Sequence, residues 1–316
     1  MKNTLFIIGA SLIILGGIIF VGFMAYNNWN FSKLWENKYQ DKTEEITVDF
    51  SDILVTTDTS DITFVKSENG KTEIFLREKK NKPHNVKVEN GTLKIELCDE
   101  RAWYEKIFDF GSAKIKISLP NDIYQNLNVK SSTGDVALSK ELTFNDISII
   151  GKTGDVNLSS SALGKITINL STGDIDVKNT TCEDVELTLS TGDVEISSLT
   201  AKNLNVSLST GDVDIDNAFL ESLTLKTTTG DVELEKVVAN GKIKIITDTG
   251  DVDFSRCDGA ELEIETDTGD VEGSLLSSKI FIVDTDTGRK RVPETTSGGI
   301  AKITTDTGDI IINIVN

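Results

Sequence analysis

Apolar residues along most of this chain fall into short runs of strict alternation, and the runs return at a fixed interval. After Thr191-Gly192-Asp193 come Val194 and Ile196, then Leu199 and Ala201, then Leu204, Val206 and Leu208, and then Ser209-Thr210-Gly211-Asp212. Alternation with a period of two puts such residues on one face of an extended strand. An earlier coil agrees, with Val156, Leu158, Leu163, Ile166, Ile168 and Leu170 in equivalent places. The glycine of the Thr-Gly pair stands at Gly134, Gly154, Gly173, Gly192, Gly211, Gly230, Gly250, Gly269, Gly288 and Gly308, at spacings of 19 or 20 residues. A fixed period of this length signals a repeat architecture.

Antiparallel hairpins turning at each Thr-Gly would make a sheet of about twenty strands, beyond the usual limit. A parallel β-solenoid, or β-helix, of about 19–20 residues per coil instead stacks each coil about 4.8 Å from the last and turns equal positions into ladders. The pattern therefore predicts an all-β fold of this kind, with three short sides to each coil. Glycine suits a corner that needs φ > 0. The flanking Thr and Asp can satisfy that corner through their side-chain oxygens.

The remaining chain divides around this array. Leu5–Ala25 carries no charge over 21 residues, the length that crosses a hydrocarbon core. A cleaved signal peptide is the competing reading, but Phe23 stands where a small residue is wanted before Ala25. The expected order is a cytoplasmic tip (1–4), a transmembrane helix (5–25), a juxtamembrane linker (26–43), a degenerate β section capping the array (44–127) and the regular solenoid (128–316). Lys2 at the N-terminal side favours N-inside, with Lys33 and Lys38 farther beyond the span. The body is then outside the cytoplasm, and Tyr26, Trp29 and Trp35 act as interfacial anchors. Within the degenerate section, Thr57-Asp58-Thr59-Ser60-Asp61-Ile62 echoes the repeat with Ser60 in place of glycine. The aromatic cluster Trp103, Tyr104, Phe108 and Phe110 reads as a core cap or a binding patch.

Charge narrows the partners. With 51 acidic against 32 basic residues the net charge is −19, which repels phosphate backbones and anionic lipid surfaces and argues against nucleic acid. Three prolines agree with strands rather than helix bundles. The three cysteines lack metal spacing; Cys182 and Cys257 occupy apolar slots and read as small buried hydrophobes. His84 is the sole histidine, too little for a triad or a common zinc site.

Stacking makes a column of the Asp that follows nine of the ten glycines: Asp135, Asp155, Asp174, Asp193, Asp212, Asp231, Asp251, Asp270 and Asp309. Turn capping accounts for them. A weak divalent-cation ladder is the alternative, with calcium held by Asp248, Asp251, Asp267, Asp270, Asp306 and Asp309. The departing copy, Arg289-Lys290-Arg291, is expected between Asp270 and Asp309, neutralising the column locally or docking an acidic partner or an anionic envelope polymer. The chain stops just after the Asp309 corner, at Ile310–Asn316, and an open strand edge there predicts end-to-end self-association or docking to a membrane partner.

The serial Ser-Thr-Gly-Asp-Val pattern, behind the degenerate Thr-Asp-Thr-Ser-Asp-Ile section and one N-terminal span, resembles the bacterial "putative adhesin" domain family of unknown function. That family includes the LiaG-like membrane-anchored proteins of envelope-stress operons. The resemblance covers residues 45–316 and implies surface display, adhesion or association with envelope-stress regulation. It transfers no catalytic residues. The expected function is thus a non-enzymatic, membrane-anchored surface scaffold at the cell envelope. A regulatory partner of membrane sensor proteins and, third, a polysaccharide-active β-helix enzyme are the alternatives.

Overall fold

A single repeat shows how the alternation becomes structure. Asp184–Thr191 forms one strand, Ser-Thr-Gly-Asp turns the corner, and Val194–Thr200 forms the next. Val185, Leu187, Leu189, Val194, Ile196 and Leu199 all point inward and are buried. The following repeat pairs with it in parallel, one repeat out of phase, so that Leu187 lies beside Val206 and Val194 beside Val213. Continuing this pattern yields an all-β parallel β-solenoid with one continuous apolar core. The computed structural model describes residues 2–26, 29, 39–98 and 113–315.

The three sides expected persist as separate strands in one coil, Val156–Leu158, Ser161–Ala162 and Lys165–Thr172. In the coils after Gly173, Gly192 and Gly211 the first two sides merge into one strand, and after Gly230 and Gly250 all three run on as Val232–Thr249 and Val252–Thr268. The merged strands bend at a residue with positive φ: Asn179, Ser198, Asn217, Lys236 and Arg256. Asparagine tolerates this left-handed region, whereas Ser, Lys and Arg carry a cost there. Leu163 also departs from the pattern. It is 58% exposed, and Ala162 takes the inward slot that Cys182, Ala201 and Leu220 fill in later coils. Cys182 and Cys257 are buried, which pushes their thiols up to about 12 and about 11.

One inward position changes character along the stack. It is Leu170, Leu189 and Leu208 in the earlier coils and Thr227, Thr247 and Thr266 in the later ones, all buried. The hydroxyls of Thr227 and Thr247 have no hydrogen-bond partner. An unpaired buried hydroxyl is unfavourable, and valine has nearly the same shape. Thr247→Val is therefore expected to raise stability by about 1 kcal/mol, read as a higher denaturant midpoint at unchanged m-value.

At both ends the coils do not stack in chain order. The first corner joins strands Asp52–Thr56 and Ser60–Lys66. These have Ile123–Thr133 and Val136–Leu138 on one side, and Thr92–Leu97 and Ala113–Leu119 on the other, all parallel. Beyond them Thr72–Lys79 and His84–Glu89 add antiparallel strands. At the far end, Gly299–Thr307 and Ile310–Ile314 lie between the coil that holds Gly269 and the coil that holds Gly288. The strand expected to be the open edge, Ile310–Ile314, thus has neighbours on both sides. The outermost coil is formed instead by Lys279–Thr287 and Lys290–Arg291.

The chain splits into two compact units, Met1–Tyr39 and Gln40–Asn316. The first holds the helix Lys2–Tyr26. Among the described residues no helix is long and apolar enough to cross a membrane. Helix side chains are described only for Ile13–Gly22 and Met24–Tyr26, so the span expected over residues 5–25 is not shown. The expected interfacial Trp35 and the cluster Trp103, Tyr104, Phe108 and Phe110 lie outside the described residues.

Candidate functional site

The corner column is built differently from a self-capped turn. Each Asp carboxylate accepts the backbone N–H of the Asp one coil on: Asp174 N–H to Asp155 Oδ1 at 2.9 Å, Asp193 to Asp174 at 2.9 Å, Asp212 to Asp193 at 2.9 Å, Asp231 to Asp212 at 2.8 Å. The series continues through Asp251 and Asp270 to Asp309. An N–H donated to a carboxylate makes a charge-assisted hydrogen bond, which offsets repulsion between the coils above and below. Glycine at the corner meets two demands at once. Gly192 has φ +130°, and a Cβ there would sit 2.0 Å from the carbonyl oxygen of Gly173.

A second column is hidden in the repeat because it mixes Asp with Glu. Two residues after each corner Asp, on the outer face, stand Asp176, Glu195, Asp214, Glu233, Asp253 and Glu272, each beside the next in register. Six successive coils therefore present paired carboxylates. A concavity of about 350 Å3 lies among Asp155, Asp174, Asp176, Asp193, Glu195 and Asp214. Partial burial, followed by repulsion from Asp212, Glu195 and Asp193, holds the Asp214 carboxyl above its ordinary value. Asp253 is raised the same way, by burial and then by Asp251, Asp231 and Asp270. Lys178 is the nearest counter-ion, 2.6 Å from Asp176 and 3.6 Å from Glu195.

The calcium ladder expected from Asp248, Asp251, Asp267, Asp270, Asp306 and Asp309 does not converge. Among the described residues no group of three or more His, Cys, Asp or Glu side chains could hold a metal ion. Asp251 and Asp270 each commit Oδ1 to the neighbouring coil, while Asp248, Asp267 and Asp306 stand exposed two residues before their glycines.

The basic triplet lies elsewhere than expected. Because the last coil in sequence is inserted, Arg289 does not separate Asp270 from Asp309; it follows Asp309 and ends the column. Its backbone N–H donates to Asp309 Oδ1 at 2.8 Å, and its guanidinium pairs with Oδ2 through Nε at 2.9 Å and through Nη2. This holds the Asp309 carboxyl below its ordinary value. Lys290 pairs with Asp284 at 2.6 Å. Arg291, opposite Ile311, ends the second column.

At the other end the sole histidine belongs to a buried relay. Ser60 and Thr57 hydroxyls lie 2.7 Å apart, Thr57 Oγ1 is 3.0 Å from His84 Nε2, and His84 Nδ1 is 3.0 Å from Glu78 Oε2. Glu78 also accepts the His84 N–H at 2.6 Å and the Gln40 amide at 3.2 Å. Every group is satisfied when Ser60 donates to Thr57, Thr57 to Nε2, and Nδ1–H to Glu78. Ser60, standing where the repeat has glycine, is what extends the relay into the first corner. The order mimics a nucleophile–base–acid triad, but Thr57 and Ser60 are 7% and 1% exposed. The relay fastens the outer strands to the first coil. Nearby, Lys82 reaches Asp58 Oδ2 and Thr59 Oγ1, each at 3.0 Å.

Burial holds His84 below its ordinary pKa, against the pull of Glu78. The unfolded chain therefore binds the proton more tightly. The His84 contribution is complete above about pH 6.5 and is lost as pH falls below that value. The melting temperature is expected to drop between pH 7.5 and 5.5, with a shallower drop in His84→Asn.

The Toastrack DUF4097 family profile matches residues 50–240 and 216–316. A solved "putative adhesin" from Parabacteroides distasonis ATCC 8503 superposes with a TM-score of 0.50 at 14% identity, covering 86% of this chain and 97% of its own. A "putative lipid binding protein" from the same organism gives 0.48 at 15% identity, with 88% and 97% covered. A "putative adhesin" from Bacteroides fragilis NCTC 9343 gives 0.43 at 17% identity, with 86% and 97% covered. No curated protein sequence matches. At these identities the structural likeness speaks for the fold alone. With its profile spanning residues 50–316, the chain belongs to the Toastrack family, a domain family of unknown function, and two of the three structures above carry the name putative adhesin.

Proposed function

We propose that the chain is a membrane-anchored, non-enzymatic binding scaffold displayed outside the cytoplasm, with the two-column carboxylate face as its working surface. The observation that carries this reading is repetition. The same carboxylate pair recurs on six successive coils between Asp174 and Glu272, whereas catalysis depends on a singular constellation.

The helix Lys2–Tyr26 supports anchoring. At 25 residues and about 1.5 Å per residue it exceeds the roughly 30 Å of a hydrocarbon core. Its single charge, Lys2, favours N-inside. A face of this charge selects a cationic partner, a basic surface on a membrane sensor protein or on an envelope polymer, and binding should weaken with salt. Membrane fractions from a bacterium expressing the full chain provide the test. Retention after alkaline wash, with the body digested by protease added to intact spheroplasts, supports anchoring and orientation; release or protection overturns them. Capture of envelope components should fall when Asp193, Glu195, Asp212 and Asp214 are changed together to their amides. Undiminished capture overturns the working surface.

A further inference from the structure

Among the described residues the strand Lys279–Thr287 has a ladder on one side only, with Gly299–Thr307. Past Lys279, whose carbonyl accepts the Thr295 hydroxyl, a strand in that position offers a free row of backbone N–H and C=O groups. Its sequence is unusual for an exposed edge: Ile280, Phe281, Ile282 and Val283 are apolar on both faces. Outward, Ile280 and Ile282 are 41% and 54% exposed, and Ile300, beside Ile280, is 46% exposed. Inward, Phe281 and Val283 are half-buried, whereas Ala301 and Ile303 beside them are fully buried. The same outward columns carry Lys242 and Glu261, and Lys244, Glu263 and Lys302, before they reach this edge. The charged surface therefore stops where the free edge begins.

An occupant must be a strand, and it must be apolar on both faces. A second copy of this strand satisfies both demands. A two-fold axis perpendicular to the sheet runs the two strands antiparallel while keeping inward and outward sides matched. Centred on Phe281, it puts Ile280 opposite the second copy's Ile282 on the outside and Phe281 opposite Phe281 on the inside. Val283 then faces Lys279, whose ammonium is already held by Asp258 at 2.5 Å. Charge points the same way. The whole chain carries −19, but residues 276–298 hold four basic residues (Lys279, Arg289, Lys290, Arg291) against three acidic (Asp284, Asp286, Glu294). This end is where two acidic molecules repel each other least.

We propose that two copies join end to end through Lys279–Thr287, antiparallel about Phe281. The chain enters the solenoid unit at Tyr39–Ile46, a strand that pairs with Thr72–Lys79 at the opposite end of the stack. The two entry points therefore lie at the far ends of the joined pair. Resting on the anchoring proposed above, such a pair links two facing membranes, and the adhesion is of like to like.

Sedimentation of the full chain in a density-matched detergent tests the pairing independently of anchoring. Wild type is expected to form a dimer, and Ile280→Lys/Ile282→Lys, changed at exposed positions, to dissociate at least tenfold more readily with an unchanged melting temperature. In a Cys98→Ser background, Phe281→Cys should form a disulfide dimer on mild oxidation and Ile282→Cys should not, because its opposite number is Ile280. A wild type that stays monomeric up to about 100 µM overturns the pairing, as does association undiminished in the double lysine variant. Cross-linking at residue 282 rather than 281 overturns the register. For bridging, the full chain reconstituted in vesicles should cluster them, and the lysine variant should not. Clustering that persists in that variant overturns like-to-like adhesion, as does wild-type chain that dimerises and inserts without clustering vesicles.

Discussion

Valine at Gly192 is expected to cost about 3 kcal/mol or more and to change how the protein unfolds, not only how stable it is. Two causes act together at this position. The φ of +130° lies outside what a β-branched residue adopts, and the new Cβ would fall 2.0 Å from the Gly173 carbonyl oxygen. Gly173 cannot yield, because it sits under the same constraint from Gly154. The coils touch only their neighbours, so a broken interface in the middle divides the array. Denaturant unfolding of Gly192→Val should show two transitions where wild type shows one, with hydrogen exchange accelerated on both sides of the corner. A single transition at the wild-type midpoint would show that the corners do not set the stacking. Alanine at the same site removes β-branching but keeps the clash, and it should rank between the two.

Glu78→Ala is expected to have the second largest effect, about 3 kcal/mol, confined to one end of the molecule. The carboxylate accepts three donors, two of them from His84, and the Glu78 and His84 side chains are 2% and 1% exposed. Removing it leaves a buried N–H and a buried imidazole N–H without acceptors. Exchange protection should collapse across Thr72–Glu89 and the Thr57–Ser60 corner while the coils beyond Asn128 keep theirs. Thr57→Val, which breaks only the hydroxyl link, should cost less. Equal loss along the whole chain would mean that the relay does not act as a local fastener.

Much of this architecture was legible from the letters. The 19–20 residue period, the inward Val, Ile and Leu positions and the corner glycines all follow from repetition and alternation, because each coil meets the same steric problem as the last. What escaped notice was whatever repetition does not encode. The Asp176–Glu272 column alternates Asp with Glu, so identity matching passed over it even though the charge is constant. The bend at Asn179, Ser198, Asn217, Lys236 and Arg256 changes residue type from coil to coil, and only asparagine favours positive φ, so no common letter marks it. His84 looked solitary because its partners, Glu78 and Thr57, are joined to it by antiparallel pairing outside the repeat. Arg289 lies one coil from where the repeat order puts it, because period gives the contents of a coil and only long-range pairing gives its place in the stack.

That displaced coil bears on how the molecule is made. Lys279–Arg291 leaves the ribosome before Gly299–Ile314, yet it packs outside it. While the later segment is still unmade, the earlier one has a neighbour of matching pattern within reach, since Phe281 and Leu262 share the same partner, Ala301. A provisional contact between them would have to open again to admit the latecomer.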